Sequence, residues 1–430
     1  MRVIADLHLH SKYSRATSQR MNVEEIARFA EAKGLTVVGT GDFTHPEWMA
    51  ELKTHLTEHD DKGLYTVKSR PESPIRFMVT GEISTVFEWD GKTKKIHHVL
   101  LVPSLEVAEQ VSERLERFGD LEADGRPTLS MTAAELVEEV LEVDGWNEVI
   151  PAHAWTPWFS VFGAFSGFDR MEDCYQDMTG KIHALETGLS SDPPMNWRLS
   201  SLDRYTLVSN SDSHSPYPWR IGREANVFEL KDVDYKSIVD AIRSGDPKRF
   251  LFTIETDPAY GKYHWTGHRK CGVSLPPSEA IRLGNICPVC GRPLTKGVEQ
   301  RVEELADRPE GYKPEGKPSY IRLLPLSEII AEVLGASSPA LKQVWEAYWK
   351  LVDAFRDEYT VLIDTPLEEL RKVVDERIAQ AIVRVREGKV KVIPGYDGVY
   401  GRLILEPEEE AEEALKKAFK TSQKSLTDFM

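Results

Sequence analysis

The chain is poor in cysteine and in long apolar runs, and its 54 Lys and Arg are outnumbered by 70 Asp and Glu. It has 4 Cys in 430 residues, and three of them lie close together. That usage excludes a secreted disulfide scaffold and suits a reducing compartment with a metal site. No apolar stretch approaches bilayer-spanning length, so no membrane partner is expected. No signal-peptide pattern precedes the first apolar residues, and a cytoplasmic location is expected. The formal charge of −16 argues against a general polyanion binder. Nucleic acid stays open as a partner, because bound divalent cations cancel negative charge locally. Part of the acidic excess sits in one run at 406–413, which reads as a solvated helix or tether. No internal repeat is visible, and the length allows two or three domains with their own cores.

The first half alternates apolar runs with helix signals. Asn22 with Glu25, and Thr132 with Glu135, place capping residues ahead of amphipathic stretches; Gly34 and Gly145 mark their ends. Another helix is predicted over 235–243. Short apolar runs lie between, as at Thr36-Val37-Val38 and Val99-Leu100-Leu101-Val102. Strands alternating with helices predict an α/β fold with a parallel sheet, open or closed into a barrel. Residues 308–319 read as a linker. Beyond it, Ser338-Pro339 and Thr365-Pro366 each start a predicted long helix, and a hairpin is predicted over 390–405.

The chemistry is concentrated where strands end. Asp6-Leu7-His8-Leu9-His10 puts a carboxylate and two imidazoles on one face of an extended segment. Later runs lead to Asp42 and His45, to Glu82, to His97 and His98, to His153, and to Asp212 and His214; His183 and Glu186 flank another. In a parallel barrel these strand ends converge on one mouth. His and carboxylate ligands without thiolate suit Zn, Mn, Fe or Mg, often in clusters with a bridging carboxylate. Such clusters activate water for attack at phosphorus. Arg220 and Arg223 follow the last motif and are either phosphate clamps or surface charge.

Four further residues, His268, Cys271, Cys287 and Cys290, have the spacing of a closed, structural Zn site, with His264 as rival to His268. Lys262, Arg269, Lys270 and Arg292 beside them are either phosphate contacts or solvated charge. A loop after His153 carries Trp155, Trp158, Phe159, Phe162, Phe165 and Phe168. Most of these rings are expected to pack on one another, with one or two left to touch a substrate base.

Asp6-Leu7-His8-Leu9-His10, Gly81-Glu82, Pro151-Ala152-His153 and Ser211-Asp212-Ser213-His214 resemble the motifs of the PHP (polymerase and histidinol phosphatase) superfamily. The resemblance implies a distorted (β/α)7 barrel and two to three active-site metals (Zn, Mn or Mg). It implies that His8, His10, Glu82 and Asp212 hold one metal, that Glu82 bridges to a second held by His98 and His153, and that His214 faces a third. His98 is taken over His97 because it abuts the apolar run. The usual second-motif His is replaced by Phe43, so Asp42 or His45 stands in; Asp192, ahead of His183 and Glu186, is a reserve for a ligand role or for supporting a ligand from behind. On this carry-over the catalytic set is His8, His10, Glu82, His153, Asp212 and His214.

The tail Gln423-Lys424-Ser425-Leu426-Thr427-Asp428-Phe429-Met430 resembles a box that binds the sliding clamp, proliferating cell nuclear antigen, through Gln423, Leu426, Phe429 and Met430. The expected layout is a barrel over 1–258, a zinc-binding module over 259–307, a mainly helical domain over 308–405, and a tether and tail over 406–430. This combination resembles the endonuclease Q family. The resemblance implies a repair endonuclease cutting DNA on the 5′ side of deaminated bases (uracil, hypoxanthine, xanthine) and abasic sites. A PHP-type phosphatase and a non-catalytic, clamp-tethered DNA-binding adaptor are the alternatives.

Overall fold

The computed structural model describes residues 1–405, so the tail with Gln423, Leu426, Phe429 and Met430 lies outside the described residues. The helix signals locate real elements. Asn22 Oδ1 accepts from Glu25 N at 3.0 Å and opens the helix Val23–Lys33, which ends at a left-handed Gly34. Thr132 and Glu135 form the reciprocal capping box of Ala133–Val143. Both helices bury one face; each fully enclosed Ile or Val on it, such as Ile26 or Val140, contributes about 1.5–3 kcal/mol.

The sheet is mixed rather than parallel throughout. Strand Arg2–Asp6 runs parallel to Val37–Gly39, which runs parallel to Arg76–Trp89. On its other side Arg2–Asp6 is antiparallel to Ala225–Glu229. Arg76–Trp89 then folds back on Lys92–Val102 as one long hairpin, in register from Val79↔Val102 to Trp89↔Lys92. The two-residue turn Asp90-Gly91 has positive φ at both positions (47° and 68°), the twist that suits tight hairpins. Glu148–Pro151 adds antiparallel to the far side of the hairpin, and Ala184–Glu186 pairs parallel with Thr206–Val208. The fold is therefore mixed α/β.

The third region departs from the predicted pair of long helices. Lys342–Phe355 forms, but the second is cut into Leu367–Leu370 and Glu376–Arg386. Asp375 caps the latter through its bond from Arg377 N, and capping side chains compete with helix continuation. The predicted linker ends in strand Ser319–Arg322, which joins the main sheet beside Phe250–Glu255. Among the described residues no helix is long and apolar enough to cross a membrane.

A buried polar layer lies behind strand Thr206–Val208. Ser209 Oγ is 3.2 Å from a carboxylate oxygen of both Glu224 and Glu255. Burial pushes Glu224 up from 4.5 to about 8, and burial with the neighbouring Glu224 pushes Glu255 up as well. These carboxyls stay protonated in the fold while they ionise near their ordinary value in the unfolded chain. The native state therefore binds more protons between pH ~4.5 and ~8, and this pair costs stability increasingly as pH rises through that window. Glu224→Gln should raise the melting temperature most at pH 8, with the gain shrinking toward pH 4.5. A gain that is flat with pH, or largest in acid, refutes this.

Candidate metal centre

Strand order brings distant residues to one place. His8 and His10 extend beyond Arg2–Asp6, and His10 N donates to Ser213 O at 3.0 Å, docking the 211–214 loop on the first strand. His10 Nε2 is 3.0 Å from Asp212 Oδ1 and 3.1 Å from Glu82 Oε2. His8 Nε2 is 3.4 Å from Glu82 Oε2 and 3.7 Å from Asp212 Oδ1. The other oxygen of Glu82, Oε1, is 2.8 Å from His97 Nδ1 and 3.1 Å from His153 Nε2. His8, His10, Glu82 and Asp212 form one donor group, and Glu82, His97 and His153 form a second. A single buried carboxylate thus faces two imidazole pairs, one with each oxygen.

Each imidazole except His97 is held from behind through Nδ1. Glu186 Oε1 supports His8 at 3.0 Å, Asp42 Oδ1 supports His10 at 3.0 Å, and Thr156 Oγ1 supports His153 at 3.1 Å. This fixes the ring and presents Nε2 inward, the arrangement that orients metal-binding histidines. His8 Nε2 is buried and has no hydrogen-bond partner. An orphaned imidazole nitrogen facing two carboxylates fits a divalent cation. Burial works to raise the pKa of Glu82, but His97, Arg126 and His8 outweigh it and hold it well below the usual carboxylate range. Burial pushes His97 down to about 4, against the pull of Glu82. Asp42, His153 and Asp212 all have positive φ (49°, 30° and 47°), a backbone cost typical of functional sites.

Residues 325–389 match the family described as MJ0043 C-terminal domain. The whole chain is similar to the lesion-specific endonuclease PfuEndoQ from Pyrococcus furiosus, at TM-score 0.84 and 38% identity, covering 95% of this chain and 96% of that one. It is equally similar to Endonuclease Q in complex with a 27-mer duplex carrying an abasic lesion at the active site, at TM-score 0.84 and 37% identity, covering 96% and 98%. The chain belongs to the endonuclease Q family. The MJ0043 protein of Methanocaldococcus jannaschii is 33% identical over 263 residues, which is 60% of this chain but 32% of that protein.

In this endonuclease Q family member several expected ligands have other partners. His98 turns away from Glu82: its Nε2 meets Thr85 Oγ1 and its Nδ1 meets Tyr175 Oη, both at 2.9 Å. His97 takes the expected place. The hairpin register explains the exchange, since Ser84 pairs with His97 and shares the Glu82 face, while Ile83 pairs with His98 on the other. Asp192 caps Pro193–Asn196 and pairs with Arg322, so both its oxygens are engaged. Asp42 supports His10 and accepts from Ser11 N and Oγ rather than joining a donor group. His45 stacks on Tyr13 at 4.4 Å, and His214 packs against His10 at 4.3 Å. Among the described residues, no third donor group includes Asp42, His45 or His214. Asp6 staples Ser211 N and Gly222 N instead of facing the cluster.

The two arginines after the last motif are committed inside the protein. Arg223 donates to Ser211 O at 3.0 and 2.8 Å, and Arg220 pairs with Glu328 at 3.2 Å. Sequence reasoning missed Arg126, whose Nη1 is 3.0 Å from Glu82 Oε2, because its loop carries no motif. Glu186, ranked behind Asp192 as a reserve for a ligand or ligand-supporting role, takes the supporting one behind His8. Trp155 and Phe162 are buried, whereas Trp158 and Phe165 stay exposed and stack on each other at 4.9 Å. His268, Cys271, Cys287 and Cys290 form a separate donor group, with Cys290 Sγ 3.4 Å from His268 Nδ1. His264 is outside it, 3.6 Å from Glu299.

Metal analysis of purified variants tests these placements. His97→Ala should lose bound active-site metal. His98→Ala should keep it and lose about 1–3 kcal/mol of stability, since the buried Tyr175 hydroxyl loses its partner and the Thr85 hydroxyl keeps only Ile96 O. Cys287→Ser should lose the ion of the His268 donor group and keep those of the Glu82 cluster. Metal loss in His98→Ala with full retention in His97→Ala would reverse the assignment.

Proposed function

We propose that this chain is a DNA repair endonuclease that hydrolyses the phosphodiester on the 5′ side of deaminated bases (uracil, hypoxanthine, xanthine) and of abasic sites. The observation that carries this is Glu82 shared between two imidazole pairs, in a chain similar over nearly its full length to an endonuclease Q bound to abasic DNA. Divalent Zn, Mn or Mg, when bound, supplies the Lewis acidity that makes water a nucleophile at neutral pH and balances charge at phosphorus. His8, His10, Glu82 and Asp212 hold one ion, and Glu82, His97 and His153 a second. Asp42, Glu186 and Thr156 fix the rings so that little reorganisation accompanies the reaction. Arg126 adds a fixed positive charge at the Glu82 edge, where a phosphate would approach. Trp158 and Phe165 offer ring faces to a displaced base. His268, Cys271, Cys287 and Cys290 hold a structural Zn, because four protein ligands leave no open position.

The same reading takes the sheet as a distorted seven-stranded β/α barrel. Ala154 N donates to Glu186 O at 3.0 Å after Glu148–Pro151, and Leu9 bridges Ser213 beyond Thr206–Val208; these links support a ring. An experimental structure with these links absent would remove it.

Labelled duplexes carrying one uracil, hypoxanthine, xanthine or abasic site, incubated with Mg, Mn or Zn, test the activity. A single nick 5′ to the lesion is expected, with undamaged duplex left intact. His8→Ala or Asp212→Ala should cost about a thousandfold in rate, roughly 4 kcal/mol. Arg126→Ala and Trp158→Ala should weaken nicking without releasing metal. Wild-type turnover in His8→Ala ends the assignment.

A sliding-clamp partner rests on the spacing of Gln423, Leu426, Phe429 and Met430. Pull-down on immobilised clamp should retain the full chain and lose a Gln423→Ala/Phe429→Ala variant. Equal retention of the two rejects it.

A further inference from the structure

The segment that returns from the Asp212 loop to strand Ala225–Glu229 is tied down by another part of the protein. Asp6 Oδ1 accepts from Ser211 N at 3.0 Å and Oδ2 from Gly222 N at 2.8 Å, so one carboxylate staples both ends of the loop carrying Asp212. Gly222 O accepts from the Tyr359 hydroxyl. Pro218 O accepts from Lys33 Nζ at 2.8 Å, and the same ammonium pairs with Glu358 Oε1 at 2.7 Å. Glu358 also accepts from Leu326 N at 2.8 Å, anchoring it in its own domain. The fit is close: a Cβ on Gly222, whose φ is +60°, would sit 2.9 Å from Lys33 Cγ and 3.0 Å from the Tyr359 oxygen.

Apolar rings also join the helical region to the segment it ties down. Trp345 on Lys342–Phe355 packs against Trp219 at 5.3 Å and against Phe29 at 6.2 Å, which supplies apolar contact. A fully buried Lys–Glu pair carries a desolvation cost comparable to its attraction and is weak evidence for stability. What such a pair supplies is direction, and here its ammonium is aimed at one backbone carbonyl of the metal-loop segment.

We infer that the C-terminal helical domain positions the metal centre: Glu358, acting through Lys33, and Tyr359 hold Pro218 and Gly222 so that Asp6 sets Asp212 at the donor cluster. Lys33, Glu358 and Tyr359 are positioning residues, remote from any reacting atom. The inference rests on the reading of His8, His10, Glu82 and Asp212 as a metal site.

Calorimetric titration of the metal-stripped full chain with Mn2+ tests it, comparing wild type, Tyr359→Phe and the double variant Lys33→Met/Glu358→Leu. Mn2+ affinity should fall roughly tenfold in both, the scale seen when residues behind metal ligands are removed. The metal-free melting temperature should change little in Tyr359→Phe and fall in the double variant, where Pro218 O and Leu326 N lose their partners, and nicking at saturating Mn2+ should return to near the wild-type rate in both. The Mn2+ concentration for half-maximal nicking should rise by the same factor as the dissociation constant. A merely structural role would lower the melting temperature and the saturated rate while leaving Mn2+ affinity unchanged, and that result overturns the inference. Tyr359→Phe removes a single oxygen and decides the matter if the double variant does not fold. Wild type binding no Mn2+ would overturn the metal-site reading together with this inference, whereas wild-type binding with unchanged variants overturns the positioning role alone.

Discussion

The structure depends on one buried carboxylate. Glu82 is fully enclosed, yet its two oxygens face four imidazoles and a guanidinium. An isolated carboxylate in that position would carry a large desolvation cost and would protonate. Here His97, Arg126 and His8 hold it ionised. A divalent cation fits the space between such imidazole and carboxylate donors.

The supporting shell turns a flexible set of side chains into a preorganised one. Glu186 illustrates this, since one carboxylate contacts His8 Nδ1 and also accepts from His153 N at 2.7 Å and Asn210 Nδ2 at 2.8 Å. It thereby links three chain segments that are remote in sequence. Asp6 does the same for the loop carrying Asp212, and Arg223 for the carbonyl just before it. Positive φ at Asp42, His153 and Asp212 is tolerated because these bonds over-determine the backbone. The helical region 325–389 belongs to the same mechanical system through Glu328, Glu358 and Tyr359.

Much of the local structure was legible because its causes are local. Asn22, Thr132 and Gly34 act within a few residues of themselves, and their helices formed where they pointed. The spacing of His268, Cys271, Cys287 and Cys290 likewise brought its four side chains together, because short knuckles leave little freedom. The long hairpin was missed although its signal was present. Asp90-Gly91 between two strand-forming runs marks a tight turn, and reading it would have set the register that selects His97 over His98.

Residue types and their placement at strand ends put His8, His10, Glu82, His153 and Asp212 in a wider list of candidates, which the resemblance to known motifs narrowed, and the structure brings these five together with His97. Which nitrogen meets which oxygen was decided by tertiary structure alone. A period-2 strand places neighbouring His97 and His98 on opposite faces, and only the partner strand determines which face is inside. Asp192 and Arg220 were spent on partners far away in sequence, Arg322 and Glu328, whose proximity no local pattern encodes, and Arg223 turned back on Ser211 of its own loop.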